Sequence, residues 1–150
     1  MKVSSDPADV IVTHALGSCL GIVVHDPVAR VGGMLHVMLP TSTINPDKAR
    51  LNPYMFVDTG VPELFRQAYA AGASKARLIV KAAGGANTQE MVTDRFEIGK
   101  RNYVILKKIL WKNGILMDAE DVGGHEPRTM YLDVGTGQVR LTVGREVKHL

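Results

Sequence analysis

Glycine and proline cut the first forty residues into short apolar runs separated by turn chemistry, and this punctuation constrains the fold more than any other feature of the chain. Residues 9–13 read as a strand rich in β-branched side chains. Gly17-Ser18 makes a turn, and residues 20–25 read as a second strand. Asp26-Pro27 ends that strand, because proline supplies no donor to a ladder. Gly32-Gly33 opens a third apolar run over 34–39, which Pro40 closes. The pattern predicts strand–turn–strand–turn–strand.

Residues 41–53 are polar, contain Pro46 and Pro53, and read as an excursion over the surface. A helix is expected to start near Asp58 or Thr59, either of which could cap exposed N–H groups. Pro62 falls in its first turn, and Gly72 is a natural stop. Residues 76–82 resemble a buried strand, followed by a Gly84-Gly85-Ala86-Asn87 loop. Residues 98–113 form the clearest helix, with Ile105, Leu106, Ile109 and Leu110 at helical spacing and lysines opposite, and Gly114 ending it. Further strands are expected over 115–117, 129–134 and 138–143. The last two are joined by Gly135-Thr136-Gly137, compatible with a hairpin. No repeat or composition break divides the chain. The expectation is one domain over residues 1–150, a mixed α/β fold of about six or seven strands and two main helices.

A chain of 150 residues can bury a real core. Its 45% hydrophobic and 22% charged residues are ordinary for a soluble globular domain and argue against wholesale disorder. No apolar run approaches the ~20 residues needed to span a bilayer, and the polar N-terminus offers no signal-peptide core, so a cytoplasmic protein without membrane insertion is expected. The net charge of +3 is too small to suggest nucleic acid. The densest basic cluster, Lys100, Arg101, Lys107, Lys108 and Lys112, reads as a solvated helix face.

The single cysteine, Cys19, excludes an intramolecular disulfide and a Cys-x-x-Cys zinc site. It is either a small buried apolar residue or a reactive thiol. Its position just after Gly17-Ser18 suits a nucleophile: a glycine turn lets backbone approach a substrate, and N–H groups near Ser18 could face a developing oxyanion. His36 lies in the third apolar run, and if the second and third strands pair, thiol and imidazole can meet. A free thiol with a pKa near 8.5 is mostly protonated at neutral pH and needs such a base. Thr13, at the end of the first strand, is a candidate to orient the imidazole. Cysteine and histidine are also common as satisfied core residues, and spacing alone does not choose between the readings. His14, His25 and Cys19 match no metal-ligand spacing, and neither glycine loop has the lysine of a P-loop or the spacing of a dinucleotide fold. Asp26 reads as a turn residue rather than an acid catalyst.

Several segments together resemble the CheD family of chemoreceptor glutamine deamidases. Thr13-His14-Ala15-Leu16-Gly17-Ser18-Cys19 matches T-x-x-L-G-S-C, and Gly32-Gly33-Met34-Leu35-His36-Val37-Met38-Leu39-Pro40 matches G-G-x-x-H-x-M-L-P. Lys81 to Asn87 resembles a K-x-x-G-G-A loop, and Ile98-Gly99-Lys100-Arg101-Asn102 an I-G-x-R-N helix start. Asp121-Val122-Gly123-Gly124, Arg128 and Thr136-Gly137 continue the match in order. The likeness covers roughly residues 9–143. His14, Ala82-Ala83 and His125-Glu126-Pro127 depart from the family pattern.

The resemblance implies an α/β sandwich similar to the catalytic domains of toxin deamidases, with Cys19 as nucleophile, His36 as base, Thr13 in support, and Gly17 and Ser18 forming the turn beside the oxyanion. It implies conversion of glutamines of methyl-accepting chemoreceptors to glutamate, with glutamyl methyl ester hydrolysis as a further activity and a CheC-type phosphatase as a partner. No metal or organic cofactor is expected. The alternative is a module that docks on receptors or on such a phosphatase without catalysis.

Overall fold

The computed structural model describes residues 1–87 and 97–150. The chain opens with four strands, β1 (Lys2–Ser4), β2 (Val10–Leu16), β3 (Leu20–Asp26) and β4 (Val31–Val37). The polar excursion holds a short helix, α1 (Pro46–Leu51), flanked by single 3-10 turns. Then come α2 (Val57–Ala70), β5 (Ile79–Gly84), α3 (Ile98–Lys112), β6 (Ala119–Val122), β7 (Arg128–Asp133), β8 (Val139–Val143) and β9 (Glu146–His149).

The strands form two sheets. One has the order β1-β4-β3-β5-β6, antiparallel except for the β5–β6 pair, and the other is an antiparallel β2-β7-β8-β9. β3 is buried along its whole length because both of its faces are covered. Leu20, Ile22 and Val24 point to a core shared with Val61, Leu64 and Ala68 of α2 and with Leu106 and Leu110 of α3. Val23 and Met34 point the other way, to a second core with Met130, Leu132 and Leu141 of the four-stranded sheet. The period of two along a strand therefore sorts side chains between a helix-facing and a sheet-facing core. The architecture is a mixed α/β sandwich, as expected. No helix of the described residues is long and apolar enough to cross a membrane.

Several details differ from the sequence reading. Gly32-Gly33, expected to open the third run over 34–39, lie inside β4, paired with His25 and Val24. The described residues hold nine strands rather than six or seven, the additions being short edge strands. α2 starts at Val57, and Asp58 does not cap it: its carboxylate accepts instead from the Ser42 backbone N–H (2.8 Å) and hydroxyl (2.8 Å), fastening the excursion. Pro62 consequently sits inside the helix rather than in its first turn. Residues 115–117 are not a strand. Ile115 and Met117 pack on the helix-facing core from a coil, with the Ile115 N–H donating to the Leu110 carbonyl, and the strand begins at Ala119 beside β5.

Candidate active site

β3 and β4 pair antiparallel from Asp26↔Val31 to Leu20↔Val37, with Gly21 opposite His36. Cys19 stands one residue beyond the last rung. It shares a strand face with Gly21 and hence with His36, one diagonal step away. That face looks into the space between the sheets: a Cβ on Gly21 would strike Leu16 and the Met130 sulfur, each at 2.8 Å, and Cys19 packs against the same sheet-facing core. The bare Gly21 leaves the diagonal between thiol and imidazole free of a side chain.

The four-stranded sheet supplies the third group. Thr13 of β2 lies opposite Met130, and its Oγ1 is 2.8 Å from Nδ1 of His36. If Nδ1 carries the proton, it donates to the threonine oxygen and Nε2 presents its lone pair. Nε2 forms no hydrogen bond among the described residues, and none joins it to the Cys19 sulfur. Contacts of this kind are commonly long in a free enzyme and tighten with substrate. Burial pushes the Cys19 thiol above its ordinary pKa, against the opposing pull of its own backbone N–H. Burial also lowers His36. Both shifts favour a neutral thiol beside a neutral imidazole at rest, which is the state in which histidine acts as a base.

The loop before Cys19 is tightly held. β2 carries a bulge between Thr13 and Leu16 where Ala15 adopts a left-handed φ of 56°, a conformation that costs a non-glycine residue about 1 kcal/mol or more. The Gly17 carbonyl accepts from Ala86 N–H (2.8 Å), and the Cys19 carbonyl from Gly85 N–H (2.8 Å). Ser18 carbonyl accepts from the Asn102 amide (3.1 Å). Among the described residues, no backbone carbonyl accepts from the N–H of Ser18 or Cys19. Among the described residues the loop thus has its acceptors engaged inward while the N–H groups of Ser18 and Cys19 meet no carbonyl, the arrangement an oxyanion would need. Met38, Asn52, Tyr54 and Met55 line one groove at His36, and Ile11, Val12, Thr13 and Met34 line a second. The roomier groove between α2 and α3, lined by Val61, Phe65, Tyr69 and Ile109, contains none of these groups.

Other groups weighed in the sequence lie elsewhere. His25 is buried, and its Nε2–H donates to the Val134 carbonyl (3.0 Å). His14 is exposed. The two glycine loops use N–H groups on each other: Gly123 donates to Gly84 (2.9 Å) and Asn87 to Gly124 (2.8 Å). Arg128 braces them through Asp121 and the Gly123 carbonyl. Sequence reasoning gave Asn102 no role at the site. Its signal was present, since residue 102 is in phase with Leu106 and Leu110, and an asparagine on a buried helical stripe must find partners.

These features define an α/β sandwich with a cysteine, a histidine and a threonine collected at the open end of a hairpin. The chain matches a family model described as CheD chemotactic sensory transduction over residues 38–143. It is 50% identical over 149 residues to a protein of Solibacter usitatus named "Probable chemoreceptor glutamine deamidase CheD", covering 99% of this chain and 88% of that one. A similarly named protein of Syntrophus aciditrophicus is 46% identical over 138 residues, 92% of this chain and 86% of its own. One from Pyrococcus abyssi is 44% identical over 133 residues, covering 88% and 80%. The chain belongs to the CheD family.

Proposed function

We propose that this protein is a chemoreceptor glutamine deamidase that works through a Cys19 thioester. The observation that carries the reading is the 2.8 Å contact of Thr13 Oγ1 with His36 Nδ1, which occupies one ring nitrogen of a histidine on the strand face that Cys19 shares and leaves Nε2 to serve as the base. The names of the relatives support the choice of substrate.

His36 Nε2 takes the thiol proton, and the Cys19 sulfur attacks the side-chain carbonyl carbon of a receptor glutamine. The oxyanion is received by the N–H groups of Ser18 and Cys19 at the Gly17-Ser18 turn. As the tetrahedral species collapses, His36 returns its proton to the departing nitrogen, and ammonia leaves. His36 then takes a proton from water, whose oxygen attacks the thioester. The C–S bond breaks, the sulfur regains a proton, and glutamate is released. The same steps hydrolyse a glutamyl methyl ester with methanol as leaving group. The reading includes a CheC-type phosphatase as a regulatory partner, which a pull-down with that protein tests.

Release of ammonia from a receptor cytoplasmic fragment tests the chemistry. Wild type should release it, while Cys19→Ala and His36→Ala should each lose about 1000-fold or more. Comparable turnover of free glutamine would point instead to a hydrolase of small amides. Full activity in Cys19→Ala would contradict the mechanism.

A further inference from the structure

The β3–β4 ladder holds His36 opposite Gly21 and stops one rung further, at Leu20↔Val37, so Cys19 and Met38 lie just past its last pair. One side chain links the two strands there. Asn102 is fully buried, and its Nδ2 donates to the Ser18 carbonyl (3.1 Å) and to the Met38 carbonyl (3.2 Å). Ser18 immediately precedes the proposed nucleophile on one strand, and Met38 lies two residues beyond the proposed base on the other. A single amide from α3 therefore stands in for the missing rung. The Met38 backbone is fixed on its other side as well, its N–H donating to the Met55 carbonyl (2.8 Å).

The arrangement is not one that packing alone would select. Oδ1 of Asn102 is buried with no partner among the described residues, and a buried acceptor left unsatisfied is costly. Leucine has nearly the same shape and would continue the stripe of Leu106 and Leu110, removing the bare Oδ1 but taking the donor from the Ser18 and Met38 carbonyls. What leucine lacks is the pair of donors that ties the two strand ends together.

We propose that Asn102 is a positioning residue for the reaction, setting the separation of Cys19 and His36 by bridging Ser18 and Met38. The inference rests on the Cys19–His36 reading. It concerns the fraction of molecules in which the thiol meets the imidazole, not substrate contact. Loss of the bridge should lower kcat and leave KM nearly unchanged.

The test compares wild type, His36→Ala, Asn102→Leu and Asn102→Ser in two assays. One is deamidation of a receptor fragment, and the other is the pH dependence of Cys19 alkylation by iodoacetamide, with folding followed by circular dichroism. A pair in contact makes the thiol react below its own ionisation range, and His36→Ala should abolish that enhancement. Asn102→Leu is expected to stay folded, lose about 10- to 100-fold in kcat with KM within about twofold, and shift its alkylation profile toward that of His36→Ala. Asn102→Ser, which keeps one donor, should recover part of both. If Asn102→Leu does not fold, the serine variant decides by the same profile. A folded variant without the bridge that keeps wild-type kcat and profile would overturn the inference, as would a loss confined to KM. A wild-type profile in His36→Ala would overturn the Cys19–His36 reading itself.

Discussion

Thr13 and His36 come from different sheets, so their 2.8 Å contact fixes the imidazole by tertiary structure rather than by local sequence. Thr13→Val keeps the shape and removes the hydroxyl. It should lower kcat about 10-fold with little change in stability, whereas Thr13→Ser should retain most activity. Rates of both variants on a receptor fragment check this. The pH dependence follows from His36. Its folded pKa lies below the ordinary 6.5 because burial disfavours the imidazolium. The neutral base is therefore present at neutral pH, and kcat/KM should fall only as pH drops below 6.5, through the lowered value. A pH–rate profile with an acid limb above 6.5 would contradict the assignment. At this scale the sequence was informative where chemistry sits beside turn signals, as at Gly17-Ser18-Cys19. It was silent on Asn102 because a helix position reveals burial, but not which carbonyls the amide will meet.

Among the elements, α3 and the strand–loop junction after β5 hold the nucleophile loop. A Cβ at Gly99 would lie 2.6 Å from the Gly85 carbonyl oxygen, and one at Gly84, where φ is 112°, would strike the Cys19 carbonyl. Alanine normally favours a helix over glycine. At Gly99 it should nonetheless destabilise the protein by about 1–3 kcal/mol, because it drives the helix start off Gly85. Urea unfolding measures that loss, and Gly84→Ala should in addition reduce activity by displacing Cys19. The β3–β4 pairing was legible from Pro27 and Pro40 but not from Gly32-Gly33, which lie inside β4, and α3 was legible from its apolar spacing. β6 was not, since the apolar segment 115–117 attracted the assignment while the paired strand Ala119–Val122 is half polar. Its charges are satisfied laterally, Glu120 by the Tyr103 hydroxyl and Asp121 by Arg128, contacts that no linear pattern encodes. β1 and β9, short and at sheet edges, have too few buried positions to show a period.

For the whole molecule, Asp26 does more than the turn role read from the sequence. Its fully buried carboxylate accepts from Val28 and Ala29 in its own turn and from Ser74 N–H and the Arg77 guanidinium far along the chain. Arg77 holds the carboxyl well below the usual carboxylate range, helped by those backbone donors and opposed by burial. Because Arg77 is 40% exposed, much of the worth lies in the buried backbone bonds. Asp26→Ala should cost about 3 kcal/mol, read from urea unfolding. The unfolded carboxyl binds its proton first, so the contribution is complete above 3.8 and is lost as pH falls toward the lower folded value. Wild-type stability should therefore decline below 3.8 more steeply than that of the variant.

The activity proposed for Cys19 is the conversion of receptor glutamines to glutamates. Its most direct test is peptide mass spectrometry of receptor cytoplasmic fragments incubated with wild type or with Cys19→Ala. A gain of about one dalton at particular glutamines with wild type alone is the predicted result. No gain with either protein across several receptors, or an equal gain with both, would contradict it.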